Sequence, residues 1–193
     1  MTILTKRELK GRIRTGHIVV EPFDERLISE NSINFRIGEE LFVRGGSGII
    51  DLAKPSKWEL VGPTELDDGE LVHILQPNTH YIAVTHEAIG TRLLGDGIAF
   101  VPEMRARSTA GRHGISVALC AGMGDVGYCG RWAIELQNHN DRPVMLDVGA
   151  VIGQFVFHAA TDAYPEDGYD GSDRYQHGDA IRFLPKELKP LDS

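Results

Sequence analysis

Two short stretches gather side chains that can do chemistry. The first is MRARSTAGRHG, residues 104–114, in which Arg105, Arg107 and Arg112 flank Ser108 and Thr109 in a chain whose formal net charge is −8 at pH 7. Arginine offers forked donors that match phosphate, and a Ser or Thr can cap a helical turn whose free N–H groups favour an anion. The stretch reads either as a phosphate site or as a solvated basic loop paired to nearby carboxylates. The second is GDVGYCGRWAIELQN, residues 124–138. A strand alternates its side chains between two faces, so Trp132, Ile134 and Leu136 share one face and Ala133, Glu135 and Gln137 the other. Glu135 is then either a surface charge in water or a carboxylate that lines a pocket and moves protons. Asp125, followed by Tyr128 among glycines, is also ordinary hairpin-turn composition.

Other chemistries lack their residues. The eight histidines include His86, followed by Glu87 but by no second His four residues on, and there is no Cys-x-x-Cys. The His-x-Glu and Pro-Cys-x-x-Cys donors of the zinc nucleobase deaminases are missing too, so no zinc is expected. No Walker A loop, G-x-G-x-x-G or G-x-S-x-G occurs, and Gly45, Gly46 and Gly48 in RGGSG read as a turn. The acidic balance argues against a nucleic-acid polymer as partner, but not against a small phosphorylated ligand that needs two or three cations. Cys120 and Cys129 make no disulfide framework. No apolar run is long enough to span a bilayer, and the opening MTILTKRELKGRI has no signal-peptide pattern. A cytoplasmic protein without membrane contact is expected.

The elements that must position these residues are mostly short strands. Residues 5–15 have helical composition, with Thr5 as N-cap and Glu8 completing a capping box. After them HIVVEPF, INFRI, ELFV, GIIDL, ELVHIL, YIAVTHEAI, GIAFVP, GISVAL, RWAIELQN, VMLDV and AVIGQFVFH alternate with turn clusters, which predicts an all-β sandwich or barrel. Residues 1–160 read as one domain. The tail, residues 161–193, is rich in Asp, Gly and Tyr at its start and reads either as disordered or as a lid over a ligand.

Taken together, these motifs resemble the dCTP deaminase branch of the dUTPase-like superfamily. RSTAGRHG, from Arg107, is similar to that family's Arg-Ser-Ser-x-Ala-Arg-x-Gly. AGMGDVGYCG, from Ala121, and IELQN, from Ile134, resemble its next two motifs, and the blocks from ILTKREL to SINFRIG and LQPNTHYIAVTHEAIG also look like it. The resemblance covers about residues 3–158. It implies a distorted jelly-roll β-barrel of the dUTPase-like type with a short N-terminal helix, assembled as a homotrimer with its sites at subunit interfaces. It implies dCTP as substrate, brought in with Mg²⁺ on its phosphates, and hydrolytic deamination to dUTP and ammonia, supplying dUMP for thymidylate synthesis.

By position, Glu135 matches the catalytic proton shuttle, and Arg112 and Ser108 match residues at the cytosine end and the attacking water. Ala121 matches a base contact, Arg107 and Thr109 triphosphate contacts, Asp125 the sugar-contacting aspartate, and Tyr128 the ring under the deoxyribose. Arg174, Tyr175 and Gln176 match part of a tail that closes over the triphosphate. Without zinc, a carboxylate must take the water's proton and return it, and an ordinary Glu, with a pKa of about 4.3, is too weak a base unless burial raises it.

Thr109, Ala110 and Gly111 depart from the usual motif, as does the end of RYQHGDAIRFLPKEL. Asn34 stands where an Asp is usual, a position that reads as structural. The Ala-Gly opening at Ala121 looks more like members that also cleave the α–β phosphate bond and release dUMP. A plain dUTPase, and a trimer that binds nucleotide or protein and has lost the chemistry, are the other readings.

Overall fold

The computed structural model describes residues 2–54, 56–119, 122–160 and 163–169. Ala121, Arg174, Tyr175 and Gln176 lie outside the described residues, as does most of the tail. The chain runs through β1 (Thr2–Ile3), α1 (Lys6–Arg14), β2 (Ile18–Glu21), β3 (Ile33–Arg44), β4 (Trp58–Val61), β5 (Thr64–Glu65), β6 (Leu71–Leu75), β7 (His80–Thr85), β8 (Ala88–Thr91) and β9 (Ala99–Ala106). It then makes the short α2 (Ser108–Arg112), followed by β10 (Ile115–Val117), β11 (Cys129–Gly130), β12 (Ala133–Asn138), β13 (Val144–Asp147) and β14 (Val151–Ala160). Helix α1 begins as its sequence predicts: the Glu8 carboxylate accepts the Thr5 N–H at 2.8 Å and the Thr5 hydroxyl at 2.9 Å. No described helix is long and apolar enough to cross a membrane.

The described strand pairs are antiparallel. The main sheet runs β1–β14–β3–β7–β12–β10, with β4 added to β3 and β9 to β14, and β11–β8–β2 and β13–β6–β5 form two smaller sheets. This is the all-β architecture with a short N-terminal helix that the turn spacing predicts. Strand β3 holds the main sheet together. Its first half pairs with β14, with Asn34 opposite Gln154; its second half pairs with β7, with Phe42 opposite Ile82; the register shifts between Ile37 and Leu41. INFRI and ELFV, read as two strands, are thus one.

GIIDL is not a strand. Residues 45–54 loop out, and β4 takes the ladder beside Leu41–Arg44, so GIIDL pairs with no strand among the described residues; Ile49 is 99% exposed. Strand β4 was not expected, because an edge strand with exposed Glu59, Leu60 and Val61 shows no alternation.

Trp132, Ile134 and Leu136 point into the main core beside Phe35, Phe155 and Phe157. Burying Ile134 and Leu136 stabilises the fold by about 1.5–3 kcal/mol each, and this fixes which face of β12 is left for Glu135. That other face is not open water. Across the same sheet Phe42, Ile82 and Val84 form a second buried cluster, with Trp58 and Ala133 packed against it.

Candidate active site

Glu135 sits opposite Ile82 on β7, between Ala133 opposite Val84 and Gln137 opposite His80. Its side chain therefore shares a face with the second apolar cluster and is half-buried. Burial pushes its carboxyl above the ordinary value of 4.5; the N–H groups of Glu135 itself and of Leu119, which hydrogen-bond to it, offset part of that rise. The backbone that supplies the Leu119 N–H is unusual. Ala118 donates its own N–H to the Glu135 carbonyl at 3.0 Å and holds a left-handed conformation, φ 54°. A non-glycine residue is rare there and persists where surrounding structure imposes it.

His80 lies on the same face, two residues along β7 from Ile82. Burial first, and then the Arg44 charge, hold its imidazole below the ordinary 6.5. Its ring lies 6.0 Å from that of Trp58, over which the Arg44 guanidinium stacks at 5.1 Å. Motif reading passed over His80, because only the β7–β12 register reveals that it shares the face of Glu135.

The three arginines near α2 have different fates. Arg105, at the end of β9, pairs with Glu103, whose carboxylate also accepts from His158 Nε2 at 2.7 Å, so for Arg105 the reading of a basic residue paired to a nearby carboxylate holds. Arg107 and Arg112 have no carboxylate partner among the described residues. Arg107 is fixed at both ends: its N–H donates to the Ile152 carbonyl at 3.0 Å, and its Nη1 donates to Asn34 Oδ1 at 3.1 Å. Helix α2 carries Ser108, Thr109 and Arg112 exposed and packs against β10, the strand that borders β12. The cationic turn and the carboxylate thus stand on elements separated by one strand, β10.

Asp125 opens a turn on the far side of Trp132. The turn is closed by the Tyr128 N–H to the Asp125 carbonyl at 3.2 Å and tied to β8 by the Gly127 N–H to Thr91 Oγ1 at 3.0 Å. Gly127 has φ +82°, which favours glycine, and a Cβ on Gly90 would lie 2.1 Å from the Tyr128 carbonyl oxygen. Asp125 is exposed. Tyr128 is 7% exposed; its ring meets Trp132 edge-on at 4.8 Å and Tyr169 at 5.4 Å, and its hydroxyl donates to the Arg131 carbonyl at 3.1 Å. It backs the turn from the core side. The Tyr169 N–H donates to the Val126 carbonyl at 2.8 Å, so the chain leading into the tail docks on this same turn.

Among the described residues no group of three or more His, Cys, Asp and Glu side chains is placed to hold a metal ion. Arg107 and Arg112, without a carboxylate partner among the described residues, suit an anion such as phosphate; Asp125 lies on a separate turn.

The curled β fold, with a half-buried Glu on the strand next to the one that α2 packs on, frames what similar proteins show. The chain belongs to the dCTP deaminase-like family, whose model matches residues 3–160. It is 31% identical over 180 residues to the "dCTP deaminase, dUMP-forming" of Clostridium beijerinckii, covering 93% of this chain and 94% of that one. It is 35% identical over 176 residues to the protein of that name from Aquifex aeolicus, covering 91% of each. Among solved structures it resembles the 2'-deoxycytidine 5'-triphosphate deaminase from Agrobacterium tumefaciens, with a TM-score of 0.58 and 17% identity over 80% of this chain. That likeness shows a shared dUTPase-like fold, and the chain spans 47% of the length of that solved chain.

Proposed function

We propose that the protein deaminates dCTP hydrolytically and carries the product on to dUMP and diphosphate. The observation that carries this is the placement of Glu135: in a chain of this family, its carboxylate lies half-buried against an apolar cluster, with its proton affinity raised. The two relatives named dUMP-forming support the second step.

In the first step water adds to C4 of cytosine. Glu135 takes the proton from the attacking water and delivers it to N3. Glu135 then takes the proton of the new C4 hydroxyl and passes it to N4; the C4–N4 bond breaks, ammonia leaves and the C4 carbonyl of uracil forms. No resident metal is needed if burial makes Glu135 basic enough, and such general acid–base work contributes about 10²- to 10⁴-fold. Arg112 and Ser108 hold the water and the developing charge at C4. Arg112 makes no ion pair with Glu135 in the structure, so it does not oppose the rise in that carboxyl's pKa at rest. In the second step water attacks the α-phosphorus and the α–β bond breaks. Arg107 and Thr109 hold the phosphates, which arrive with Mg²⁺, and Asp125 orients the water and the sugar.

Ala121, Arg174, Tyr175 and Gln176 complete the base and phosphate contacts in this reading. Leu119, 41% exposed and next in the chain to the Ala118 that pairs with Glu135, is apolar surface that a neighbouring subunit of a homotrimer would cover. The setting is the nucleotide pool of the cytoplasm. Purified protein with dCTP and Mg²⁺, assayed for ammonia and for nucleotide products, tests the proposal. Ammonia with dUMP and diphosphate is the expected result. Ammonia with dUTP alone removes the second step, and neither nucleotide changed removes the enzyme.

A further inference from the structure

We infer that Asn34 is a positioning residue for Arg107: a buried neutral amide that fixes the guanidinium while leaving its charge for a polyphosphate. The inference rests on the reading of Arg107 as a phosphate contact. Asn34 is 7% exposed on the first half of β3. Its side chain is fully used. Nδ2 donates to the Leu27 carbonyl and to Ser29 Oγ, each at 3.0 Å, and Oδ1 accepts from Arg107 Nη1 at 3.1 Å. The two donor bonds lock the amide's orientation, so Oδ1 can only face Arg107.

The choice of an amide has an electrostatic consequence. A guanidinium has five N–H donors, and Asn34 occupies one of them. A carboxylate here would do two things instead. It would set one oxygen against the Leu27 carbonyl and pair the other, as a charged anchor, with Arg107, so that where the family's usual Asp stands phosphate must compete for the guanidinium, and in this chain it need not. Arg105, two residues earlier, shows that alternative: Glu103 takes it up. Arg107 differs from Arg105 in having a neutral anchor.

The test is Asn34→Asp, read by calorimetric titration with inorganic tripolyphosphate and by steady-state kinetics with dCTP. The expected result is tripolyphosphate affinity lower by about tenfold or more, KM for dCTP raised by a similar factor, and kcat within about threefold of wild type. In an Arg107→Ala background, Asn34→Asp adds no further loss of affinity. A merely structural role would lower kcat and thermal stability without this dependence on Arg107. If Asn34→Asp does not fold, Asn34→Ser, neutral and too short to reach Arg107, weakens tripolyphosphate by about threefold.

Wild-type tripolyphosphate affinity in either variant overturns the inference, and so does a wild-type protein that binds no tripolyphosphate. A wild-type protein that binds tripolyphosphate through Asn34 and Arg107 but releases no ammonia from dCTP sustains this inference and sinks the proposed reaction.

Discussion

Ala118 and Glu135 face each other at the end of the β10–β12 ladder: the Ala118 N–H meets the Glu135 carbonyl at 3.0 Å, and the next N–H along, that of Leu119, is turned onto the Glu135 carboxylate. The left-handed bend at Ala118 makes this possible. A regular strand would point the Leu119 N–H elsewhere in the sheet. Burial raises the carboxyl's pKa, and the N–H groups of Glu135 and Leu119 offset part of that rise.

Glu135→Gln keeps the shape of the side chain and removes its basicity. Ammonia release from dCTP should fall by about 10²-fold or more, while dCTP binding, measured calorimetrically, stays within about threefold. Near-normal turnover would take Glu135 out of the mechanism.

Reaction rate and stability should respond to pH in opposite senses through this one group. The base form is needed, so kcat/KM should decline as pH drops through a value above 4.5. For stability, a folded pKa raised above the unfolded one means that the group favours folding below the unfolded pKa and loses that contribution as pH rises through the folded value. Glu135→Gln should accordingly melt higher than wild type at about pH 7, with the gap closing towards about pH 4. A gap that does not change with pH would contradict the burial argument.

Arg105 and Arg112 should separate cleanly. Arg105 is already paired, so Arg105→Ala should leave KM for dCTP within about twofold. Arg112 has no such partner among the described residues, and Arg112→Ala should lower kcat/KM by about 10²-fold if it stabilises charge at the reacting carbon. Equal losses in both variants would mean that the region acts only through its net charge.

The Glu40–Arg131 pair makes a different pH prediction. Arg131 donates to both Glu40 carboxylate oxygens and to the Thr85 carbonyl, and hydrogen bonding from Arg131 leads the causes that hold Glu40 below its ordinary pKa. A depressed folded pKa gives stability that is present above the unfolded value and lost as pH falls through the folded one. Arg131→Gln should cost about 1–2 kcal/mol at neutral pH, discounted because the pair is about a third exposed, and less at about pH 3. Thermal melts at the two pH values decide it.

Gly90→Ala tests how tightly the Asp125 turn is held. The added methyl meets the Tyr128 carbonyl, which is backbone and cannot swing aside. The variant should lose about 1–3 kcal/mol of stability, and its kcat/KM for dCTP should fall even well below its melting temperature. Unchanged kinetics would detach that turn from the substrate.

How much of this was legible in the sequence depended on range. The face of β12 that carries Trp132, Ile134 and Leu136 could be read from alternation alone, because burial on one side imposes a period of two. Whether Glu135 met water could not, since that depends on Phe42 and Ile82, which only the register brings beside it. GIIDL misled because apolar residues look the same whether or not a ladder is available. The Gly38–Glu39 interruption hid the continuity of β3. Asn34 was visible only as a departure from the family's usual Asp and read as structural; its pairing with Arg107, 73 residues away, was not legible. The left-handed Ala118 is silent too, because nothing in ISVALC marks a residue that tertiary contacts force out of the strand region.

Strand β3 carries Asn34 in the half that pairs with β14, and Phe42, the neighbour of Ile82 in the row of Glu135, in the half that pairs with β7. The proposed anion grip and the proposed proton shuttle are thus mounted on one spar. The bend between Ile37 and Leu41 sets their relative aim. Lengthening or shortening that bend by one residue would leave each part intact and misalign them, as in an instrument whose two lenses are sound but no longer share an axis.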